Sequence, residues 1–462
     1  MTIWYNIIKR FAAPSLPKPT ETYDQRYFDA LVNVLRLYFN QLDDLLGRIV
    51  AVTASTVPVS IGGVNVDAFG RIRSSAPYTL FDSQNRYAKN DLFSESTSGT
   101  AGATIGYLPN ESTVTLTVAA STDVVIRQTY RSFSYQPGKG LLVMNTFVMP
   151  PAVSGLTIRI GYFNDDNGVY LERDGTTVSF VRRSYTGGSV SNTPVTQANW
   201  NGDKLDGTGA SGYTLDLTKA QIFWEDFEWL GVGSVRCGFV INGETIICHT
   251  FQNANNLNTV YMTTAILPVR YEIRSTGGAG TLKQICSTVI SEGGYEKKVA
   301  PTVVRAPISP TAAKTATVNT LTPLVAIRLA SGRTGAVVIP DGFSVLCTTT
   351  PADYEIILLK GTVATLYSAG PGAWSPSGSA NVEFATTGTL VDPPNPVSNI
   401  VYQQFASGSN QVGGASGTTG DYNWDLQLGA SLSNVSDVYV LAVRPISGNE
   451  DFYASLSFWD LT

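Results

Sequence analysis

With 462 residues, 43% of them hydrophobic but only 15% charged, the chain is long enough for about two to four domains, finished on the outside largely with Ser, Thr, Asn, Gln and Gly. A net charge of -5 leaves no general attraction to phosphate backbones and argues against nucleic acid as a partner. The single histidine, His249, rules out a multi-histidine metal site and weighs against imidazole acid-base chemistry.

Residues 1–21 combine Trp4, Tyr5, Ile7, Ile8 and Phe11 with prolines at 14, 17 and 19. So many large apolar groups in a short tail predict a docking arm that orders against a partner, the plainer alternative being a loose terminus. No secretory signal is expected here, because Lys9 and Arg10 follow the apolar stretch instead of preceding it. No transmembrane run is found, so membrane insertion is not expected and synthesis is assigned to the cytoplasm.

Residues 22–50 carry the one strong helical pattern. Thr22 and Gln25 fit a capping box, and Phe28, Leu31, Leu35, Tyr38, Leu42, Leu45 and Ile49 step by three and four along a heptad seam. A lone helix of this length is marginal in water and needs a partner. It is either laid on the β core or, as we prefer, paired with its own copies in a coiled coil, most readily a trimer.

After a connector at 51–79 the texture is β almost throughout. TVTLTVAA, LTIRIGYF, TVSFVRRS, QIFWEDFEWLG and VRCGFVINGE alternate or nearly alternate, and Asp174-Gly175 and Asn242-Gly243 mark hairpin turns. The strand spacing over 80–295 predicts a two-sheet sandwich. Residues 296–323, rich in Pro, Ala, Thr and Lys, read as an extended linker, and 324–462 as a second β-sandwich with a Gly/Ser loop at 406–420. The fold class expected is therefore mainly β: an N-terminal coiled-coil helix followed by two β-sandwich or jelly-roll domains.

Cys237, Cys248, Cys286 and Cys347 form no CxxC pair and read as reduced, buried small residues, although Cys237 and Cys248 stand on facing strands of one hairpin, where a disulfide is conceivable. Phe223-Trp224-Glu225-Asp226-Phe227-Glu228-Trp229 brings three carboxylates together. On a strand Asp226 and Glu228 share one face while Glu225 points the other way with Phe223, Phe227 and Trp229, so the Glu-x-Asp-x-Glu alternation of a glucanase is absent. A solvated or hydrogen-bonded strand face is the preferred reading, and no catalytic residue is assigned. Asn164-Asp165-Asp166-Asn167-Gly168 offers hard oxygen ligands but lacks EF-hand spacing and reads as a turn, so no metal or other cofactor is expected. Trp200, Trp224, Trp229, Trp374 and Trp424 are candidate sugar platforms, with Tyr422 and Trp424 beside the flexible loop the leading pair for glycan contact. His249 reads as a packed strand residue, and Ser331-Gly332-Arg333-Thr334-Gly335 lacks the length and lysine of a phosphate loop.

Several stretches resemble a group of tailed-bacteriophage virion proteins: VDAFGRIRSSAPYTLFDSQNRY at 66–87, YQPGKGLLVM at 135–144, NWNGDKLDGTGASGYTLDLTKAQIFWEDFEWLGVGSVRCGFVINGE at 200–244, LPVRYEI at 267–273 and ICSTVISEGG at 285–294. Together they cover about half of the chain. The resemblance implies a concanavalin-like or jelly-roll sandwich and a virion location, in a module used on tail, neck and capsid parts alike. It supports a homotrimer that docks on other virion proteins through its N-terminus. The expected function is that of a structural fibre protein at tail or neck presenting a surface for host contact, without enzymatic activity. The alternatives are a capsid decoration or head fibre, or a sandwich that binds or cleaves glycans.

Overall fold

A computed structural model of the chain describes residues 16, 24–54, 76–296, 300–306, 313–349, 352–392, 400–408, 414–418 and 424–462, with residues 41–54, 306, 408, 414–416 and 418 described by their backbone alone. The chain divides into two units, Met1–Ser75 and Ala76–Thr462.

In the first unit the heptad region is a single helix, Gln25–Ala54. Its start differs from the expected capping box: Asp24 takes the cap, its Oδ1 accepting the Arg26 N–H at 2.9 Å, and Thr22 lies outside the described residues. A carboxylate here also meets the positive end of the helix dipole. The seam divides. Phe28 and Leu35 are 44% and 36% exposed, Leu31 and Tyr38 are half-buried, and the side chains of Leu42, Leu45 and Ile49 lie outside the described residues. Two neighbouring apolar stripes run along the helix: half-buried Tyr27, Leu31, Val34 and Tyr38 beside exposed Phe28, Val32, Leu35 and Phe39. No helix among the described residues is long and apolar enough to cross a membrane.

The second unit holds two β-sandwiches. In the first, sheet I runs Glu244–Phe251, Val235–Ile241, Gln221–Phe227, Leu141–Val148, Gly280–Ser291, Thr113–Val118, Thr104–Leu108, with Tyr78–Ser83 also paired to Gly280–Ser291. Sheet II runs Ser191–Thr196, Thr177–Ser184, Gly168–Asp174, Leu156–Phe163, Val269–Ser275, Val124–Thr129, Phe93–Ser98. All their ladders are antiparallel, and the period-two alternation read in the sequence becomes the inward set Leu141, Val143 and Phe147 facing Ile158, Ile160, Tyr271 and Ile273. The Asn242-Gly243 hairpin forms as the sequence requires, both residues taking positive φ, 52° and 84°.

The second sandwich packs sheet III (Thr302–Ala306, Glu450–Asp460, Val338–Cys347, Gly414–Thr418, with Lys314–Ala316) on sheet IV (Ser375–Pro376, Val382–Ala385, Thr322–Leu329, Val438–Pro445, Ala352–Gly361, Ile400–Gly408). Thr302–Ala306 and Lys314–Ala316 fall in the stretch read as a linker, yet both pair with Glu450–Asp460. Extended Pro/Thr-rich chain and edge strand share one backbone conformation, and only the distant partner distinguishes them.

The two sandwiches are fused. Gln427 Nε2 donates to Ser132 O (2.8 Å), Ala430 N to Tyr130 O (2.9 Å), Leu432 N to Ser94 Oγ (3.0 Å) and Ser134 Oγ to Leu461 O (3.0 Å). Val337 and Ile339 of the second sandwich belong to the hydrophobic core of the first. Satisfying backbone groups across the seam while burying apolar side chains there makes the pair one body.

Candidate functional site

The strand Gln221–Phe227 is paired on both sides, with Leu141–Val148 and Val235–Ile241, so its alternation is strictly enforced. Phe223, Glu225 and Phe227 point into the sandwich and are fully buried, while Ile222, Trp224 and Asp226 occupy the outer face of sheet I. Glu225 Oε2 accepts the Tyr162 N–H of sheet II at 3.0 Å, and its Oε1 has no hydrogen-bond partner. Burial pushes this carboxyl well above its ordinary range, against the single hydrogen bond that favours the charged form. Gly161 makes the approach feasible: a Cβ there would lie 2.7 Å from Tyr170 Cα and 2.9 Å from Glu225 Oε1.

On the outer face Asp226 is held by Arg236, whose Nε donates at 2.8 Å and whose Nη2 also reaches the same oxygen. Glu228 stands beyond the strand end, exposed, and accepts from Ser234 Oγ at 3.1 Å. The pair formed by Asp226 and Glu228 in the sequence is therefore not the pair in the fold. Glu292 takes the place of Glu228: a Cβ on Gly140 would sit 2.6 Å from Glu292 Oε2 and 3.5 Å from Asp226 Oδ1, so glycine leaves the space in which the two carboxylates approach. Burial, and then the charge of Asp226, raise the Glu292 pKa, with Arg236 opposing them. The two carboxylates thus stand in unequal surroundings, Asp226 paired with a guanidinium and Glu292 half-buried beside it. Sequence spacing gave no hint of it, because Glu292 follows the Gly280–Ser291 strand, which lies across Leu141–Val148 from the strand of Asp226.

Trp424 departs from the expected sugar platform. It is 7% exposed, its ring packs edge-on against Tyr295 (4.8 Å between centroids), its Nε1 donates to Tyr78 Oη at 3.0 Å, and its carbonyl accepts from Arg131. It wedges the seam between the sandwiches, and Tyr422 lies outside the described residues. Trp200 stacks on Phe180 in the core, Trp224 is covered on the outer face above Gly238, and Trp374 carries the Arg328 guanidinium 4.2 Å from its centroid. Trp229 is placed differently. Together with Tyr135 and Tyr295 it lines a cleft of about 350 Å³ at the seam, to which Gln136, Glu296 and Asp460 add polar groups. These rings come from separated segments, so neighbouring sequence could not assemble them.

The expected docking residues Trp4, Tyr5, Ile7, Ile8 and Phe11 lie outside the described residues. Asn164–Gly168 is a tight turn: Asn164 Oδ1 accepts from Asp166 N at 2.9 Å and Asn167 N at 2.8 Å, and Asp165 pairs with Arg270. Among the described residues no three His, Cys, Asp or Glu side chains group as metal ligands. All four cysteines are free; a bulge sets Cys237 opposite His249 and leaves Cys248 out of the ladder, and burial raises both thiols, Cys248 to about 12. His249 is buried against Phe251, its Nδ1 accepting from Asn201 N at 3.3 Å.

No family model and no curated relative matches this chain. Among solved structures it is similar to a mixed-linkage glucan GH16 protein of Bacteroides ovatus, at 11% identity over 46% of this chain and 99% of that one, TM-score 0.32. A β-glucanase of Bacillus licheniformis matches at 9% identity over 47% and 99%, TM-score 0.29. Arcelin-5, a lectin-like defence protein of Phaseolus vulgaris, matches at 10% over 47% and 100%, TM-score 0.29. The appearance of glucanases corrects the expectation of a chain without enzymatic activity, which we do not retain. That expectation rested on the single histidine, the low charge and the lack of a metal or nucleophile motif, together with the spacing of carboxylates along one strand, whereas Asp226 and Glu292 come from two separate segments. At these identities and TM-scores the likenesses transfer no reaction, substrate or ligand to this chain.

Proposed function

We propose that the chain is a homotrimeric structural component of a phage virion, attached at the tail or neck, that presents the double sandwich as an outer surface for host contact. The observation that carries this reading is the helix Gln25–Ala54, which leaves Phe28, Val32, Leu35 and Phe39 exposed at 44%, 60%, 36% and 57%. Four large apolar groups in one stripe, beside a second apolar stripe, make a face wider than a two-stranded seam covers, and a bundle of three helices buries both. The virion assignment is supported by the resemblance of 66–294 to phage structural proteins, and the fused sandwiches suit a surface held at fixed geometry. Residues 1–21 are the arm that docks on neighbouring virion proteins.

Immunogold electron microscopy of intact phage particles, with antibody raised against the protein, tests this. Label at the tail or neck is the expected result. Label confined to the capsid would move the protein to the head-decoration alternative, and unlabelled particles would remove the virion reading.

A further inference from the structure

The seam cleft has the properties of a binding site; the sequence offered Trp229 as one of several candidate sugar platforms but not the cleft that it lines. Three aromatic rings line it, and hydrogen bonds position two of them. Tyr135 Oη accepts the Trp229 backbone N–H at 3.1 Å, and Tyr295 Oη donates to Ser134 Oγ at 3.2 Å. Tyr135 and Trp229 meet edge to face with centroids 6.1 Å apart. Such rings are held before any ligand arrives, which lowers the ordering cost of binding.

The loop carrying Trp229 is in an uncommon conformation. Leu230 has φ 37° and Gly231 φ 79°, and Leu230 is 55% exposed, so no burial of its side chain accounts for a left-handed leucine. The loop is tied down by Gly233 N donating to Trp229 O (2.7 Å) and Tyr261 N donating to Gly231 O (2.9 Å). The effect is to hold the Trp229 ring, half-buried, in the wall of the cleft.

We infer that this cleft binds a neutral oligosaccharide. A volume of about 350 Å³ lies in the range of small-molecule sites. Aromatic walls match the apolar faces of pyranose rings, and an amphipathic lining needs an occupant with both apolar faces and hydroxyls. The Glu296 carboxylate, whose side chain is 66% exposed, accepts from sugar hydroxyls, and the Thr264 hydroxyl, which accepts from Ile266 N at 3.0 Å, has its own proton to donate. Gln136 exchanges two hydrogen bonds with the Glu296 backbone, at 2.7 and 3.0 Å, and so fixes that wall. The neutral class follows from charge: Glu296 and Asp460 both line the cleft, and Lys139 stands 3.5 Å from Glu296 as the nearby cation. A uronate or phosphorylated sugar meets two carboxylates there. The cleft does not include Asp226 or Glu292.

Titration calorimetry of the full chain with cellohexaose, laminarihexaose and maltohexaose, and with an oligogalacturonate hexamer for comparison, tests the inference. At least one neutral hexasaccharide is expected to bind, and the uronate at least about 10-fold more weakly. Trp229→Ala, with its thermal midpoint checked, is expected to weaken binding by at least about 10-fold, Trp229→Phe by less, and Glu296→Gln to narrow the gap between neutral and acidic ligands. Absence of binding by all three neutral hexasaccharides would overturn the inference, as would wild-type affinity in Trp229→Ala. Should Trp229→Ala fail to fold, wild-type behaviour of both Trp229→Phe and Glu296→Gln decides against it. Native mass is expected to be unchanged in each variant, so a negative result leaves the trimer test independent.

Discussion

Replacing Glu272 by alanine is expected to cost about 3–5 kcal/mol of unfolding free energy, because it strips the counter-charge from the outer face of sheet II. Glu272 is 1% exposed and meets Arg270 at 2.7 Å, Arg159 at 3.0 Å and Arg274. Arg159 retains Glu172 at 2.7 Å after the change, but Arg270, 2% exposed, keeps only solvent-facing Asp165 as a counter-charge. The penalty is the desolvation of a guanidinium that has lost its buried partner. Arg274→Ala supplies the contrast: its side chain is 43% exposed, and its loss is expected to cost no more than about 1 kcal/mol. Denaturant unfolding of the two variants reads the difference. Equal costs would mean that the network contributes packing and not charge compensation. The same carboxylate sets an acid limit. Burial raises its pKa, but Arg270, Arg274 and Arg159 outweigh burial and hold it at about 2, below its value in the unfolded chain. Its stabilising contribution is complete above the unfolded carboxyl range and is lost as pH falls toward 2.

Glu225 works in the opposite direction. Its folded pKa is raised by burial, and Tyr162 N–H is its one hydrogen bond. Below the unfolded glutamate pKa both states are protonated and the residue is neutral to stability. As pH rises above it, the unfolded chain releases a proton that the folded chain keeps, and stability falls by about 1.4 kcal/mol per pH unit until the folded carboxyl titrates. Glu225→Gln retains the acceptor for Tyr162 and has no charge to lose. Chemical unfolding over a series of pH values above the unfolded glutamate range is expected to give a wild-type-minus-variant stability difference that becomes more unfavourable to wild type as pH rises. Taking the difference removes the other titrating groups, including Glu292, Asp437 and Lys360, whose shifts are common to both proteins. A flat difference would mean that Glu225 is ionised inside the fold.

The pattern along single strands was legible from sequence where one face is buried. Alternation marked 156–163 and 221–227 as strands and gave the opposed directions of Glu225 and Asp226, but the strand ends at Phe227, before Glu228 and Trp229, and in 156–163 the burial pattern stops alternating after Ile160. Heptad spacing located the helix, although its cap moved from Thr22 to Asp24, because any short oxygen-bearing side chain at that point of the turn satisfies the first N–H groups. What stayed hidden depends on contacts between distant segments. Thr302–Ala306 and Lys314–Ala316 are strands because Glu450–Asp460 lies beside them. Trp424 looked like an exposed ring next to a Gly/Ser loop, but Arg131 and Tyr78 of the first sandwich draw it into the seam. Neither the Glu292–Asp226 approach nor the Tyr135–Trp229–Tyr295 cleft has a local signature, since each is assembled by the packing of strand ends.

The central claim, self-association through the N-terminal helix, is tested most directly by the native mass of the purified full chain. Three times the mass of one chain is expected, falling to a single chain when Phe28 and Leu35 are both replaced by aspartate. A wild-type protein that has the mass of one chain while its helix remains formed would contradict the account.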